Sequence, residues 1–268
     1  MDLIAAALLG VVQGLTEFLP VSSSGHLILA RAFFGWDADR FGLAFDVACH
    51  VGTLLAVVLY FWDDVRAMIA ALPAALSGRD GEHERLLRLI VVGTLPIVVI
   101  GLAFGDWLET VRSPAVVATT LALGGLGLIV AERLGSQSRD SNGVSYGEAI
   151  AIGLAQAAAL VPGISRSGAT LTLALLLGLR RAQAARFVFL MSLPAVVAAA
   201  AREALKLRDV GVTGIPVTLF VVGLLVSAVV GYLTIKFFLK YLANHSLAVF
   251  AYYRFALALV TVVWLATR

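Results

Sequence analysis

The chain has 268 residues, of which 60% are hydrophobic and 14% are charged, with a formal net charge of +3. Soluble domains are roughly 45–50% apolar and about 25% charged, so the composition excludes an ordinary soluble enzyme and also a disordered chain. The single cysteine, Cys49, excludes an intrachain disulfide. The few scattered positive charges exclude a nucleic-acid-binding surface. We therefore expect a membrane protein.

Six segments are long and apolar enough to cross the hydrocarbon core of a bilayer, which takes about 20 residues of helix. In chain order these predicted spans are 41–61, 86–105, 114–132, 183–202, 213–235 and 247–266. The polar stretches 62–85 and 203–212 are predicted loops, and 133–146 is predicted to link two halves of the chain.

Four further apolar segments are too short to cross alone: 3–19, 24–34, 147–160 and 165–178. They occur in pairs, joined by the polar turns VSSSGH at 21–26 and GISRSG at 163–168. Two short helices around a polar turn predict a re-entrant hairpin, which is tolerated at membrane depth only where protein or a wet cavity covers it. Two such hairpins predict one shared polar cavity.

An internal repeat links the two hairpins. A shift of 143 residues superposes Gly10 on Gly153, Gln13 on Gln156, Ser22 on Ser165, Ser24 on Ser167 and Gly25 on Gly168. The predicted fold is an all-α polytopic membrane protein, one domain over 1–268, with repeat halves at about 1–135 and 144–268. Each half holds one re-entrant hairpin and three of the six transmembrane helices, so the halves are inverted, an arrangement that places binding sites near the midplane.

The distribution of Lys and Arg predicts the orientation. The side of the N terminus carries seven of these residues, Arg40 and Arg268 among them, and the opposite side carries eleven. Cytoplasmic loops are the richer in Lys and Arg, so both termini are expected outside the cell.

The first polar turn holds most of the candidate chemistry. Glu17 ends an apolar segment, with Gln13 one turn before it. A charge at membrane depth costs about 2.5–3.5 kcal/mol and by default marks a functional site. The next polar residues are Ser22, Ser23, Ser24 and His26. These types supply a nucleophile, a base and a metal ligand, although serines also cap helices and spacing alone does not assign the roles.

The second polar turn supplies a cation, Arg166, between Ser165 and Ser167. A guanidinium presents a planar fork suited to phosphate oxygens, and the alternative is a structural ion pair with Glu17. The helix that follows each turn adds N–H donors for an anion. A pyrophosphate carries more negative charge than Arg166 and two helix ends neutralise, so we expect a divalent cation held by Glu17.

Three other polar residues stand in apolar surroundings. Asp46 and His50, one helical turn apart, are candidates to line the same cavity. Arg254 is expected to extend its charged end to the membrane surface.

The strings QGLTEFLPVSSSGHL at 13–27 and PGISRSGAT at 162–170 resemble the undecaprenyl-pyrophosphate phosphatase family of the bacitracin-resistance type. The stretch FDVACHVGTLLAVVLYFWDD at 45–64 is also similar. The resemblance implies removal of the terminal phosphate of undecaprenyl pyrophosphate, which recycles the lipid carrier for peptidoglycan synthesis. It further implies that the enzyme works in the bacterial plasma membrane, with its active site on the outer side.

The resemblance also implies roles for particular residues. Glu17, Ser23, His26 and Arg166 are the implied catalytic residues, and Glu17 is the implied ligand of a divalent cation, Mg²⁺ or Ca²⁺. The implied substrate-binding residues are Gln13, Ser22, Ser24, Gly163, Ser165, Ser167, Gly168 and Thr170. The favoured nucleophile is Ser23 with His26 moving the proton; attack by His26 or by water is the alternative. Gln13 stands where two-carboxylate members carry Glu.

Two other functions compete with the phosphatase. Inverted repeats with broken helices are typical of transporters, so a carrier or flippase of an anionic isoprenyl lipid is the main alternative. An intramembrane serine protease is a third, for which no peptide-binding strand is recognised. For the phosphatase and for the carrier, the expected partners are an isoprenyl pyrophosphate lipid and membrane lipid, and a homodimer is left open.

Overall fold

The computed structural model describes residues 2–36, 41–210 and 216–267, which form eleven α-helices and no β-strand. The helices are α1 Asp2–Thr16, α2 Ser23–Phe34, α3 Leu43–Tyr60, α4 Trp62–Leu76, α5 Glu82–Thr110, α6 Pro114–Leu134, α7 Tyr146–Ala158, α8 Arg166–Leu176, α9 Arg181–Val210, α10 Val217–Leu242 and α11 Ala248–Ala266. The predicted all-helical class is confirmed, and the four short segments are the short helices α1, α2, α7 and α8.

Five helices are long and apolar enough to cross a membrane: α5, α6, α9 as far as Arg202, α10 and α11. A sixth candidate is α3 together with α4, which follows it after a bend of 85°. These elements correspond in order to the six predicted spans. The beginning of the predicted span 213–235 lies outside the described residues, as do Arg40 and Arg268 of the orientation prediction.

Two predicted loops are partly helical, so those predictions are wrong. The stretch 62–85 begins with α4, whose buried residues Met68, Ala71 and Ala75 recur at helical spacing. The stretch 203–212 continues α9 as far as Val210, and 211–212 lie outside the described residues. Charged residues such as Arg, Glu and Lys are strong helix formers, so polarity alone does not end a helix.

The outer surface of the bundle is apolar. Large apolar side chains are more than half exposed on several of the long helices, among them Leu95, Leu102, Leu123, Leu233 and Val260. A soluble monomer rarely exposes continuous apolar patches of more than a few hundred Å². Lipid is the environment in which such a surface is stable, so these helices form a multi-pass membrane protein.

Polar clusters fix one end of the bundle. The buried carboxylate of Glu132 accepts hydrogen bonds from the Arg181 guanidinium and from the Leu247 N–H at 2.6 Å, which ties α6 to the starts of α9 and α11. Beyond the spans, hydrogen bonds from the Arg139 guanidinium lower the pKa of the Glu148 carboxyl to about 2. The segment between the halves is therefore attached to α7 by an ion pair.

A seam of glycines lets α1, α3 and α10 pack closely. A Cβ atom added to Gly52 on α3 would lie 2.2 Å from the Leu224 carbonyl oxygen of α10, and one added to Gly14 on α1 would lie 2.9 Å from the Gly231 nitrogen. The Ser227 hydroxyl donates across the same seam to a carbonyl of α3 at 2.9 Å. Helices associate in lipid without a hydrophobic driving force. Small residues at the contact allow the close van der Waals packing that holds the helices together instead.

We expect Gly52→Ala to destabilise the protein, because its methyl group would overlap a main-chain carbonyl. The loss is about 1–3 kcal/mol, as for other overpacked interiors. Gly147→Ala on α7 is the matched control, since nothing lies within 4 Å of a Cβ there and alanine favours helix by about 1 kcal/mol. Thermal unfolding in detergent measures the stability of both variants. Equal melting temperatures would show that close packing of α3 against α10 does not require glycine at position 52.

Candidate functional site

The two polar turns lie against each other, each taken with the residues that precede it: 17–26 from the end of α1 into α2, and 159–168 from the end of α7 into α8. The Arg166 guanidinium pairs with the Glu17 carboxylate. The Ser167 hydroxyl donates to the Leu19 carbonyl at 3.0 Å. The prediction that the two turns meet is therefore confirmed, and the ion pair that was the alternative for Arg166 is present.

The turns share an unusual backbone conformation. Ser22 and Ser165 are the N-caps of α2 and α8. Both have φ 75°, in the left-handed region that residues other than glycine seldom adopt. Each serine hydroxyl accepts a hydrogen bond from the N–H three residues later, Gly25 at 3.3 Å and Gly168 at 3.0 Å. Such strain costs about 1–3 kcal/mol per residue and persists only where the surroundings impose it.

Glu17 is the centre of the site. Its Oε1 atom accepts from Arg166. Its Oε2 atom accepts from Gln13 Nε2 at 2.9 Å and from the Ser23 hydroxyl at 2.6 Å, and His50 Nε2 lies 3.5 Å away. The carboxylate thus joins a cation, an amide, a hydroxyl and an imidazole in one buried cluster.

His26 is hydrogen-bonded to groups other than Ser23. Its Nδ1 atom is 2.8 Å from the Ser22 carbonyl oxygen, and its Nε2 atom is 2.7 Å from the Tyr253 hydroxyl. Since a carbonyl only accepts, Nδ1 carries a proton and Nε2 is free to accept from Tyr253. The structure brings Ser23 to Glu17 and His26 to Tyr253, so the acceptor in contact with the Ser23 proton is Glu17.

The second turn is compact because of glycine. Gly163 has φ 90°, and a Cβ atom there would lie 2.0 Å from the Thr120 hydroxyl, which donates to the Pro162 carbonyl at 2.7 Å. The Thr170 hydroxyl donates to the Arg166 carbonyl at 2.8 Å, inside α8. Gly163 therefore shapes the turn, and Thr170 holds the first turn of the helix that carries Arg166.

Arg254 holds the site together in a way that its sequence position did not predict. The expectation that it reaches the membrane surface is wrong, because the residue is completely buried. Its guanidinium donates to five main-chain carbonyls at 2.9–3.2 Å, those of Pro20, Thr120, Leu121, Gly163 and Ile164. It therefore joins both polar turns to α6. The sequence did contain one indication, an Arg inside a predicted span. Such an Arg usually faces the protein interior and pairs with groups there.

Asp46 and His50 divide between two roles. The buried carboxylate of Asp46 accepts two hydrogen bonds from Arg31, at 2.6 and 3.0 Å, and one from Arg112 at 2.8 Å. Its carbonyl is 2.7 Å from His50 Nδ1. Both residues line one cavity with Ser23 and Arg166, which confirms the prediction. Within it, Asp46 is held in an ion cluster by Arg31 and Arg112, while His50 reaches Glu17.

A cavity of about 290 Å³ opens from the cluster around Glu17. Ser23, Ser24, His50, Ser165 and Arg166 form its polar part. Apolar residues of α5 and α9 form much of the remaining wall, among them Ile97, Leu102, Ala195, Val196 and Ala199, and the lining ends at Arg112 and Arg202. The cavity accordingly combines a polar end with an apolar groove.

The cluster fits a divalent cation only together with a ligand. The described residues contain no group of three His, Cys, Asp or Glu side chains that could hold a metal. They do provide the Glu17 carboxylate, and the Gln13 Oε1 atom is buried without a hydrogen-bond partner among them. Mg²⁺ is commonly held by one or two carboxylates plus substrate phosphate oxygens, so this donor set suits a cation that arrives with a phosphorylated substrate.

Comparison with known proteins gives one consistent result. The model of the family described as "Bacitracin resistance protein BacA" matches residues 6–260. A curated protein of Rubrobacter xylanophilus named "Undecaprenyl-diphosphatase" is 53% identical over 96% of both chains. Proteins of the same name from Moorella thermoacetica and Paenarthrobacter aurescens are 44% and 43% identical, over 99% and 97% of this chain and 99% and 95% of theirs.

We expect Arg254→Lys to lower the melting temperature strongly. An ammonium cannot reach all five carbonyls, and each buried acceptor left without a donor costs about 1–3 kcal/mol. Arg180→Lys is the matched control, because the Arg180 side chain is 58% exposed and pairs only with an exposed Asp140 among the described residues. Similar melting temperatures for both variants would show that Arg254 does not hold the turns.

Proposed function

Because the chain belongs to the bacitracin resistance protein BacA family, we propose that it is a membrane phosphatase that removes the terminal phosphate of undecaprenyl pyrophosphate. The product, undecaprenyl phosphate, is the lipid carrier that peptidoglycan synthesis reuses in the bacterial plasma membrane. The observation that carries the proposal is the contact of Glu17 with both Arg166 and Ser23 at the polar end of an apolar cavity. A transporter of the same lipid is not favoured, since the relatives carry a hydrolase name.

The cavity suits the two parts of this substrate. Arg166 offers N–H donors in a planar fork for phosphate oxygens, and the start of α8 adds main-chain donors and the positive end of the helix dipole. The apolar walls of α5 and α9 accommodate the isoprenyl chain. On binding, the pyrophosphate replaces Glu17 as the partner of Arg166.

The chemistry follows from the contacts of Ser23. The Ser23 Oγ atom attacks the terminal phosphorus while its proton passes to Glu17 Oε2, which already accepts its hydrogen bond at 2.6 Å. The bond from that phosphorus to the bridging oxygen breaks, and undecaprenyl phosphate leaves. Water then hydrolyses the phosphoserine and releases inorganic phosphate. Direct attack by His26 or by water is the alternative.

Glu17 and Gln13 would hold the divalent cation, Mg²⁺ or Ca²⁺. The cation supplies positive charge that neutralises the pyrophosphate oxygens during phosphoryl transfer. Gln13 contributes a neutral ligand atom where a second carboxylate would add negative charge. Ser24 and Ser165 line the cavity beside Arg166. Ser22 and Ser167 are buried next to them and hold the two turns in place.

We further propose that α1–α2 and α7–α8 are re-entrant hairpins in an inverted repeat of halves 1–135 and 144–268. At about 1.5 Å per residue, helices of 11–15 residues fall short of the roughly 30 Å hydrocarbon core. The shared conformation of Ser22 and Ser165 supports the repeat. With α3 counted as a span, each half has three crossings, an odd number that inverts the second half.

Helix packing supports the same proposal. Helix α1 packs against α10 of the second half, and its repeat counterpart α7 packs against α5 of the first half. Helices α3 and α9, which correspond under the repeat, pack against each other, as do α6 and α11. Such reciprocal packing is what a twofold relation between halves produces.

The cavity is proposed to face the outside of the cell. Its lining runs along α5 and α9 to Arg112 and Arg202, on the side of the N terminus. That side carries seven Lys and Arg residues against eleven on the other, and the positive-inside rule assigns the poorer side to the exterior. Both termini would then be outside.

Phosphate release from undecaprenyl pyrophosphate by the purified protein tests the function. We expect activity in the wild type that a chelator abolishes. Arg166→Lys should lose much of it and Arg166→Ala nearly all, since each charge-assisted hydrogen bond contributes about 1.5–3 kcal/mol, or roughly ten- to hundredfold in rate.

Turnover measured beside stability separates phosphate binding from a purely structural ion pair. Arg166→Ala leaves the buried Glu17 carboxylate unpaired, so it should melt early in either case. Arg166→Lys keeps a positive charge opposite Glu17 and should keep most of the thermal stability, yet it should lose turnover because it lacks the planar fork. Near-normal turnover in a stable Arg166→Lys would overturn the assignment of Arg166 to phosphate.

Cysteine labelling tests the orientation. In a Cys49→Ala background, Thr110→Cys marks the cavity side and Ser138→Cys the opposite side, and both positions are exposed. On intact cells a membrane-impermeant maleimide should modify Thr110→Cys, and it should modify Ser138→Cys only after permeabilisation. The opposite pattern would contradict the proposed orientation.

A further inference from the structure

His50 contacts the Glu17 site from a third element, α3. Its Nε2 atom lies 3.5 Å from Glu17 Oε2, its side chain is 25% exposed, and it lines the cavity. The two turns that supply Glu17, Ser23 and Arg166 do not include it, so the reaction proposed above leaves it without a role.

Hydrogen bonding fixes which nitrogen of His50 faces the site. Nδ1 is 2.7 Å from the main-chain carbonyl of Asp46, which can only accept, so Nδ1 carries a proton. The Asp46 carboxylate is clamped by Arg31 and Arg112. The imidazole is therefore held in one orientation, with the lone pair of Nε2 directed towards Glu17. Metal-binding histidines are oriented by the same kind of second hydrogen bond.

A lone pair and a carboxylate oxygen facing each other need positive charge between them. The Gln13 amide and the Ser23 hydroxyl donate to the same Oε2 atom, but neither is described as a donor to His50. Adjacent ligands of an octahedral ion lie about 3.0 Å apart, so His50 Nε2 and a Glu17 carboxylate oxygen separated by 3.5 Å are close enough to bind one ion.

We propose that His50 Nε2 and the Glu17 carboxylate together bind the divalent cation, with the phosphate oxygens of the substrate as further ligands. This inference rests on the proposed function and deepens it. The imidazole adds a third protein ligand to Glu17 and Gln13, at a site where Gln13 provides no second carboxylate. Because imidazole favours transition metals while Mg²⁺ and Ca²⁺ favour all-oxygen sites, the site should prefer Mn²⁺ to Ca²⁺.

Pulsed EPR of Mn²⁺ tests the assignment. The probe is Mn²⁺ with methylenediphosphonate, a pyrophosphate analogue that is not hydrolysed at its bridge, added to the purified full-length protein. The wild type should show ¹⁴N coupling from a directly bound imidazole. His50→Gln should lose this coupling and bind Mn²⁺ at least about tenfold more weakly, since even the loss of an outer-shell partner costs about 10–100-fold. Its Ca²⁺ affinity should change much less.

His83→Gln is the matched control, because His83 is exposed at the start of α5, and it should keep the coupling. Retention of the coupling in His50→Gln, its loss in His26→Gln instead, or absence of coupling in a wild type that binds Mn²⁺ would each overturn the proposal. The last result would indicate that His50 faces Glu17 as an imidazolium. Phosphate release by the same wild-type sample distinguishes these outcomes from failure of the proposed function, which would show as no turnover with any divalent cation.

Discussion

Irregular backbone inside an apolar bundle needs hydrogen-bond partners that lipid does not supply. The carbonyls of the two polar turns find theirs in the buried guanidinium of Arg254, which also reaches two carbonyls of α6. This one side chain lets two strained serine turns persist side by side. The contact between Glu17 and Arg166, and with it the whole site, depends on that arrangement.

The site is balanced in charge before the substrate arrives. Glu17 and Arg166 neutralise each other, because an unpaired charge in a low-dielectric interior is costly. The neighbouring Asp46 carboxylate has two arginine partners, Arg31 and Arg112. A pyrophosphate headgroup can therefore replace Glu17 as the partner of Arg166, provided that another cation then neutralises the Glu17 carboxylate. Binding of substrate and of a divalent cation would then support each other.

The sequence predicted the short helices and the meeting of the polar turns because both follow from local pattern: apolar length, Pro and Gly, and two hydroxyl-rich strings. Glu17, Ser23 and Arg166 were recognised since polar residues are conspicuous in apolar surroundings. Arg254 and the contact of His50 with Glu17 were not predicted, because their partners are far away in the chain. The helix at 62–76 was missed because a polar stretch of this kind looks like a loop when no packing partner is known.

The central claim is that the two turns form one pyrophosphate site, in which the substrate replaces Glu17 as the partner of Arg166. An experimental structure with a bound isoprenyl methylenediphosphonate tests it most directly. We predict Arg166 nitrogens within hydrogen-bond distance of the terminal phosphonate, the Glu17–Arg166 pair opened, and the isoprenyl chain between α5 and α9. An analogue bound elsewhere, with the pair intact, would contradict the account.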